Sequence, residues 1–329
     1  MRNIFMSHRD QQTTNHVLMI APVAFGSNPD TLATNAFQSR DEVTASRDIQ
    51  VNARNEFESV VRELRAADIK VSVVEDTREP WTPDSIFPNN WISFHHTYDN
   101  TMDTEEGVVV LYPMMAPNRR AERKLFESVT AVLTESGRAI TQRVDLTGWE
   151  GHKKFLEGTG SLVLDRVRRI AYACRSGRTN PEVLLDFTRR MGCASIIFEA
   201  VDEKGQPIYH TNVVMSLGSS FAVVCAEAFI SADERETVLD SLYSSGREVI
   251  LISLKQMAQF GANLLELRST KDHPFIALSH AAYQTFTYEQ EDRLAKHGRL
   301  LPLRIPTIEK YGGGSVRCML AEVFLPTQN

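Results

Sequence analysis

The sequence predicts an α/β fold built from five repeats of one unit, and three observations carry that prediction. A strand or hairpin, one helix and a further strand recur about five times at spacings of roughly 50 to 65 residues, within the range of repeat architectures. At 329 residues the chain exceeds the usual size of one core, which leaves two domains or one repetitive assembly as the leading options. No GxGxxG follows an early strand, so a two-domain dinucleotide fold has no support. Five strand-and-helix units are able to close around an axis.

The elements run as follows. After a polar leader, residues 1–16, the run Val17-Leu18-Met19-Ile20 reads as a buried strand ended by Pro22. Phe57, Val60, Val61 and Leu64 share one helical stripe, predicting a helix over residues 51–67. A strand at 71–74 leads into the turn-rich stretch EDTREPWTPDSIFPNNW, and loops of this length are often functional. The second unit has a strand at 107–112, a helix at 120–136 and a strand at 140–144. The third opens with a strand pair, 156–163 and 169–174, turning near Asp165, then a helix at 181–191 and a strand at 196–199. The fourth has strands at 212–216 and 221–226 around the turn Gly218-Ser219-Ser220, a helix at 232–244 and a strand at 249–252. The last has strands at 264–267 and 275–278, a helix at 289–296, a strand at 300–303 and the C-terminal run 316–324.

Composition narrows the function. The chain is 42% hydrophobic and 24% charged, with 17 Gly, 13 Pro and no low-complexity tract, which suits a large buried core. A net charge of -6 and a pI near 5.9 argue against nucleic-acid binding. The cluster Arg119, Arg120, Arg123 and Lys124 reads, taken alone, as a solvated helix face interleaved with Glu122. No apolar run reaches the roughly 18 residues a membrane span needs, and the N-terminal segment lacks a signal-peptide block, so a soluble, cytoplasmic protein is expected. Cys174, Cys193, Cys225 and Cys318 lie far apart and His95, His96 and His152 have no spaced partner, so neither disulfides nor a metal or other cofactor is expected.

Four residues stand out as candidates for chemistry. Asp84 lies in Pro83-Asp84-Ser85-Ile86-Phe87-Pro88-Asn89-Asn90-Trp91, where the plainer reading is a turn capped by Asp and Asn. Glu157, in Phe155-Leu156-Glu157-Gly158-Thr159-Gly160, is a carboxylate among apolar residues and glycines, and a simple strand-end acid is its plainer reading. His210 opens an apolar strand, where a satisfied structural histidine is the commoner case. Cys318 follows Gly312-Gly313-Gly314-Ser315, bare backbone that admits positive φ and close approach of a ligand. A cysteine, a histidine and a carboxylate on separate elements form a nucleophile, a base and an orienter.

Seven segments in order resemble one family: NPDTLATNAFQ (28–38), PDSIFPNNW (83–91), MAPNRRAER (115–123), FLEGTGSLVLD (155–165), CRSGRTN (174–180), YHTNVVMSLG (209–218) and GGGSVRCMLAEVFLP (312–326). With them the chain resembles the guanidine- and ureido-modifying enzymes of the pentein fold, within them the citrulline-utilisation hydrolase branch, also called amidinotransferase-like. The resemblance implies a closed five-unit αβ propeller with a central site, here a single catalytic domain over residues 17–329. It also implies a cysteine-dependent hydrolase of the ureido group of L-citrulline that gives L-ornithine, CO2 and ammonia. Cys318 corresponds to the nucleophile and His210 to the acid and base. Glu157 matches the acid, which would orient His210 and favour its cation. The positions matching substrate-binding residues are Asp84, Asn90, Arg119, Arg120, Arg178 and Asn212, with Arg178 on the substrate carboxylate. The glycine-rich backbone is expected to supply donors to a developing oxyanion.

Arginine-processing relatives carry aspartates where this chain has Asn90 and Asn212, and a neutral ureido group suits two amides better than a cationic guanidinium does. Ala21 stands where relatives often carry Arg. The alternatives are an arginine or methylarginine deiminase or dihydrolase of the same fold, and a non-catalytic binding protein, since the propeller also occurs in a ribosome anti-association factor. The expected partner is a small amino-acid substrate, with no nucleic acid or membrane and with room for a homo-oligomer.

Overall fold

Alternating apolar strands and one-sided helices build the same small sheet five times over in this chain. The computed structural model describes residues 11–32, 34–35, 37–39, 46–99 and 104–328. The first ten residues of the leader, and positions 33 and 36 of the segment 28–38, lie outside the described residues. In chain order the strands are β1 (His16–Ala21), β2 (Lys70–Glu75), β3 (Ile92–Asp99), β4 (Thr104–Leu111), β5 (Gln142–Asp145), β6 (Val163–Asp165), β7 (Ile170–Cys174), β8 (Ala194–Phe198), β9 (Met215–Leu217), β10 (Phe221–Val224), β11 (Glu248–Leu251), β12 (Leu265–Arg268), β13 (Pro274–Ser279), β14 (Arg299–Leu303) and β15 (Ala321–Glu322). They form five three-stranded sheets, β15-β1-β2, β3-β4-β5, β6-β7-β8, β9-β10-β11 and β12-β13-β14. In each sheet the middle strand pairs antiparallel with the first and parallel with the third. The parallel step needs a crossover, and each is made through a helix: Ser46–Ala66, Phe126–Glu135, Pro181–Met191, Ala232–Ser244 and Tyr288–Ala295.

The circle closes because the C-terminus returns to the N-terminal strand, pairing Val17 with Glu322 and Leu18 with Ala321. β15 thus takes the place that a hairpin partner takes in the other four sheets. The core sits between neighbouring units. Helix Ser46–Ala66 buries Ile49, Ala53, Phe57, Val60, Val61 and Leu64, each large side chain contributing about 1.5–3 kcal/mol of apolar burial.

The predicted five-unit α/β propeller is the observed fold. Several predicted elements differ in detail. Strand β3 falls in the polar stretch after residue 91, which the sequence reading left unassigned. The helix predicted at 120–136 is broken into Pro117–Arg120, a 3-10 stretch Ala121–Leu125 and Phe126–Glu135. Three segments read as strands begin as helical turns instead: Gly158–Ser161, Thr211–Val214 and Val316–Met319. Glu157 and His210 therefore sit at the N-caps of such turns, and Cys318 lies inside one. A buried four-residue run carries no period that distinguishes strand from helix.

These turns place the site. Each sheet after the first is entered through a turn, Pro88–Asn90, Gly158–Ser161, Thr211–Val214 or the reverse turn at residues 260–263, and Val316–Met319 leads into β15. The turn Gly158–Ser161 packs on both Pro88–Asn90 and Thr211–Val214, while Val316–Met319 packs on Pro88–Asn90. Gly158 is required there, since it has φ of +47° and a Cβ would stand 2.2 Å from the carbonyl oxygen of Asn89.

Candidate active site

Cys318, His210, Asp84, Asn90, Arg119, Arg178, Tyr209, Phe87, Asn35 and residues 312–314 line one small cavity at the meeting point of the turns. Glu157, fully buried behind His210, accepts from its Nε2 at 2.9 Å and from the Met115 N–H at 3.0 Å. The Arg178 guanidinium stands 3.5 Å from the same carboxylate. Burial works against ionisation of Glu157, yet Arg178 and the hydrogen bond from His210 hold its carboxyl well below the usual range. Burial also lowers His210, to about 4, against the opposing pull of Glu157. The resting pair is thus an anionic Glu157 and a neutral His210: Glu157 pulls the imidazole toward its cation, and desolvation outweighs that pull. An anionic Glu157 can only accept, so it holds the proton on Nε2 and leaves Nδ1 as the basic nitrogen.

An imidazole with this depression reports on stability. The unfolded chain takes up the His210 proton near pH 6.5 and the folded chain only near pH 4. Stability from this group is therefore fully present above pH 6.5 and is lost as pH falls through that window. Compared with wild type, His210→Asn is expected to gain on the order of 3 kcal/mol between pH 7 and pH 4. Urea titrations at the two pH values check this, and a pH-independent difference would contradict it.

The early loop contributes an acid and an amide. Asp84 is 3% exposed; its Oδ2 accepts from Asn28 Nδ2 at 2.7 Å, while Oδ1 has no partner. Burial raises its carboxyl, opposed by Arg119, 3.9 Å away, and by the Asn28 hydrogen bond. Arg119 does not reach freely toward a ligand. Its Nε and Nη2 donate to Glu122 at 2.8 and 3.2 Å, and its Nη1 donates to Asn90 Oδ1 at 2.8 Å. That last bond fixes the Asn90 amide, turning its Nδ2, which has no partner, the other way. A Cβ at Gly160 would lie 2.3 Å from Asn90 Nδ2 and 2.8 Å from His210 Nδ1, so the amide donor and the basic nitrogen are neighbours. Glu122, fully buried, is a residue that sequence reasoning assigned to a solvated face; burial pushes it up to about 7 despite Arg119.

Arg178 is 4% exposed, lies under Tyr209 with 4.9 Å from Cζ to the ring centroid, and donates from Nη2 to Thr34 Oγ1 at 2.7 Å. Its Nε has no partner. Arg120 does not join the cavity lining. Adjacent helical positions point about 100° apart, and Arg120 donates instead to the carbonyls of Met114 and Met115 at 2.9 and 3.1 Å. In this structure it clamps the loop that serves Glu157. Arg120→Ala is expected to lower stability by about 1 kcal/mol and leave substrate KM within twofold, as steady-state kinetics with thermal melts will read. A KM rise above about tenfold, worth roughly 1.4 kcal/mol, would restore it to the binding site.

Cys318 is 7% exposed, with the Nδ2 atoms of Asn212 and Asn263 each 3.5 Å from its sulfur. Asn263 was not singled out by sequence reasoning. The glycine run has a packing role: Gly313 ends helix Pro306–Gly312 with φ of +64°, and its N–H donates to Glu309 O at 3.0 Å. A Cβ at Gly312 or Gly314 would meet the Phe87 ring at 2.7 or 2.9 Å. The bare backbone thus makes room for Phe87, and the Gly313 N–H is already engaged. Among the described residues no group of acidic, histidine and cysteine side chains has metal-binding geometry, and no helix is long and apolar enough to cross a membrane.

A closed five-unit propeller with a thiol, an imidazole and a buried carboxylate at its axis is the architecture of the pentein-fold, guanidino-modifying hydrolases. The chain belongs to the family described as N,N dimethylarginine dimethylhydrolase, eukaryotic, whose pattern matches residues 21–325. This is a family of hydrolytic enzymes acting on guanidino or amidino C–N bonds, so hydrolysis rather than binding alone is the class of activity. The fold is shared with the substrate-bound N-terminal domain of ArgZ, an arginine dihydrolase from the ornithine-ammonia cycle in cyanobacteria. That match has a TM-score of 0.68 and 15% identity over 95% of this chain and 98% of that one. AgrE bound to L-arginine matches with a TM-score of 0.69 and 16% identity over 95% of this chain and 41% of its own. DDAH from Pseudomonas aeruginosa in complex with citrulline matches with a TM-score of 0.60 and 12% identity, over 94% of this chain and 99% of that one. No curated protein matches the chain in sequence.

Proposed function

We propose that the chain is a cytoplasmic hydrolase of L-citrulline, or of a close ureido analogue, whose single catalytic domain spans residues 17–329. The observation that carries this reading is the Asn90 amide. Arg119 holds its oxygen, so the edge left without a partner beside His210 is a donor. A ureido group offers a carbonyl to that donor and N–H groups to the unpaired Asp84 Oδ1 and Asn212 Oδ1. A guanidinium has N–H groups only and would meet Asn90 donor to donor.

The reaction runs in two halves. As the sulfur of Cys318 attacks the ureido carbon its thiol proton passes to His210 Nδ1, the C–N bond to the ornithine side chain breaks, and His210 delivers that proton to the departing amine. Cys318 is left carrying a carbamoyl group. His210 Nδ1 then takes a proton from water, whose oxygen attacks the carbamoyl carbon; the C–S bond breaks, His210 returns the proton to the departing sulfur, and the carbamic acid released decomposes to CO2 and ammonia. Glu157 keeps the imidazole tautomer and orientation throughout, and Arg178 meets the substrate carboxylate through its unpaired Nε.

The second reading is a hydrolase of arginine or a methylated arginine. It is favoured by the buried Asp84 carboxylate with one oxygen unpaired, a partner suited to a cation, and by the description of the family. Purified protein incubated separately with citrulline, arginine and N,N-dimethylarginine decides between them. Ornithine and ammonia from citrulline alone are expected. Citrulline formed from either guanidine would replace the first reading with the second.

A further inference from the structure

We infer that Asn263 belongs to the reaction centre, holding the Cys318 sulfur as a hydrogen-bond acceptor and tying it to Asn212. The inference rests on the proposed role of Cys318 as nucleophile, and it is independent of which substrate the enzyme takes.

Position is the first support. Four of the five turns at the axis bring a polar group to the site: Asn90, Glu157, the pair His210 and Asn212, and Cys318. The fifth is the turn at residues 260–263, which leads into β12 and brings Asn263. This turn is held in an unusual shape. Phe260 has φ of +60°, a left-handed conformation that costs a non-glycine residue of order 1–2 kcal/mol. It is kept there by two short bonds, from Gly261 N–H to Gln256 O and from Asn263 N–H to Phe260 O, both 2.8 Å. Gly261 leaves no space for a side chain, since a Cβ would lie 2.8 Å from the same Gln256 oxygen.

Orientation is the second support. Asn263 is fully buried. Its Oδ1 accepts from the Arg317 N–H at 3.1 Å and its Nδ2 donates to the Asn212 carbonyl at 3.1 Å. A backbone N–H only donates and a carbonyl only accepts, so the amide cannot be reversed. The edge turned to Cys318 is therefore a donor, 3.5 Å from Sγ, and Asn212 places a second amide nitrogen at the same distance. Asn263 Oδ1, which accepts from the Arg317 N–H, also lies 3.8 Å from Sγ, within reach of the resting thiol proton. Two amide N–H groups on one sulfur suit an atom that carries negative charge in the reacting state. The same amide, through the Asn212 carbonyl and the Arg317 N–H, fixes the spacing between the histidine turn and the cysteine turn.

Asn263→Asp keeps the acceptor for the Arg317 N–H, removes the donor and sets a carboxylate beside the sulfur. The test measures alkylation of Cys318 by iodoacetamide at pH 7 in the full chain without substrate, by peptide mass spectrometry, with circular dichroism to establish the fold. For folded Asn263→Asp the alkylation rate is expected to fall about tenfold or more, as is kcat, with KM within twofold. Asn263→Ala, which removes the donor without adding charge, is expected to lose less than the aspartate variant, and it decides the matter if the aspartate variant does not fold. Alkylation at the wild-type rate in either folded variant overturns the inference. Since the alkylation needs no substrate, failure of the citrulline reading leaves this result standing, and the reverse also holds.

Discussion

Cys318→Ala is expected to remove turnover by about 10⁴-fold or more while leaving a folded protein that still binds substrate. The size follows from covalent catalysis: without the sulfur no carbamoyl intermediate forms, and what remains is positioning and electrostatics alone. Little stability goes with it. The side chain is small and 7% exposed, and its loss deprives the Asn212 and Asn263 amides of one weak acceptor while Asn263 keeps its bonds to Asn212 O and the Arg317 N–H. A cost of about 1–2 kcal/mol is the scale of one lost buried contact. Calorimetry with citrulline will show retained binding beside lost activity. An alanine variant that turns over within tenfold of wild type would remove Cys318 from the nucleophile's role, together with the inference drawn for Asn263.

Asn90→Asp is the largest expected change in specificity. The substitution keeps the shape of the side chain and its bond from Arg119, whose guanidinium then gains a charged partner, so folding is unaffected. It reverses the other edge from donor to acceptor. The citrulline carbonyl would then face a carboxylate oxygen in a buried site, which costs kcat/KM about 10²-fold, on the scale of one buried polar group left opposed. A guanidinium gains what citrulline loses, and arginine turnover is expected to rise; adding Asn212→Asp to the same chain extends the shift. Steady-state kinetics on both substrates read the result. A variant that keeps its citrulline preference would show that Asn90 does not choose the substrate.

Much of this was legible in the sequence, for reasons that differ by element. Helices Pro181–Met191 and Ala232–Ser244 were read at their true bounds because their ends carry local chemistry. Asn180 caps the first through its side chain, Gly192 ends it with φ of +60°, and Ser231 caps the second. Strand β3 was hidden because it follows a long turn-rich segment and carries two adjacent histidines, a poor match to an apolar strand pattern. The turns holding Glu157, His210 and Cys318 read as strands in the sequence because each lies in a short buried run that looks alike in either conformation. Glu157, His210 and Cys318 still stand out as candidates in the sequence, since residue type and family pattern mark them independently of the local structure.

What the sequence concealed is who each polar group bonds to. Arg119 and Arg120 are neighbours of equal chemistry, and only helical geometry separates the one beside Asn90 from the one that clamps Met114 and Met115. Glu122 reads as a surface acid until its burial against Arg119 is seen. Asn263 sits before an apolar strand as an isolated amide, and no local pattern gives away its bonds to residues 51 and 54 positions distant.

The most direct measurement is rapid acid quench of the wild-type enzyme with citrulline, followed by mass spectrometry of the peptide that contains Cys318. A mass increase of one carbamoyl group on Cys318, absent when arginine or N,N-dimethylarginine is supplied, is the predicted result, with ornithine released in the same burst. An adduct on Cys318 that keeps the amidine carbon with its ornithine chain, formed from arginine or dimethylarginine as ammonia or dimethylamine leaves, with no adduct from citrulline, would contradict it.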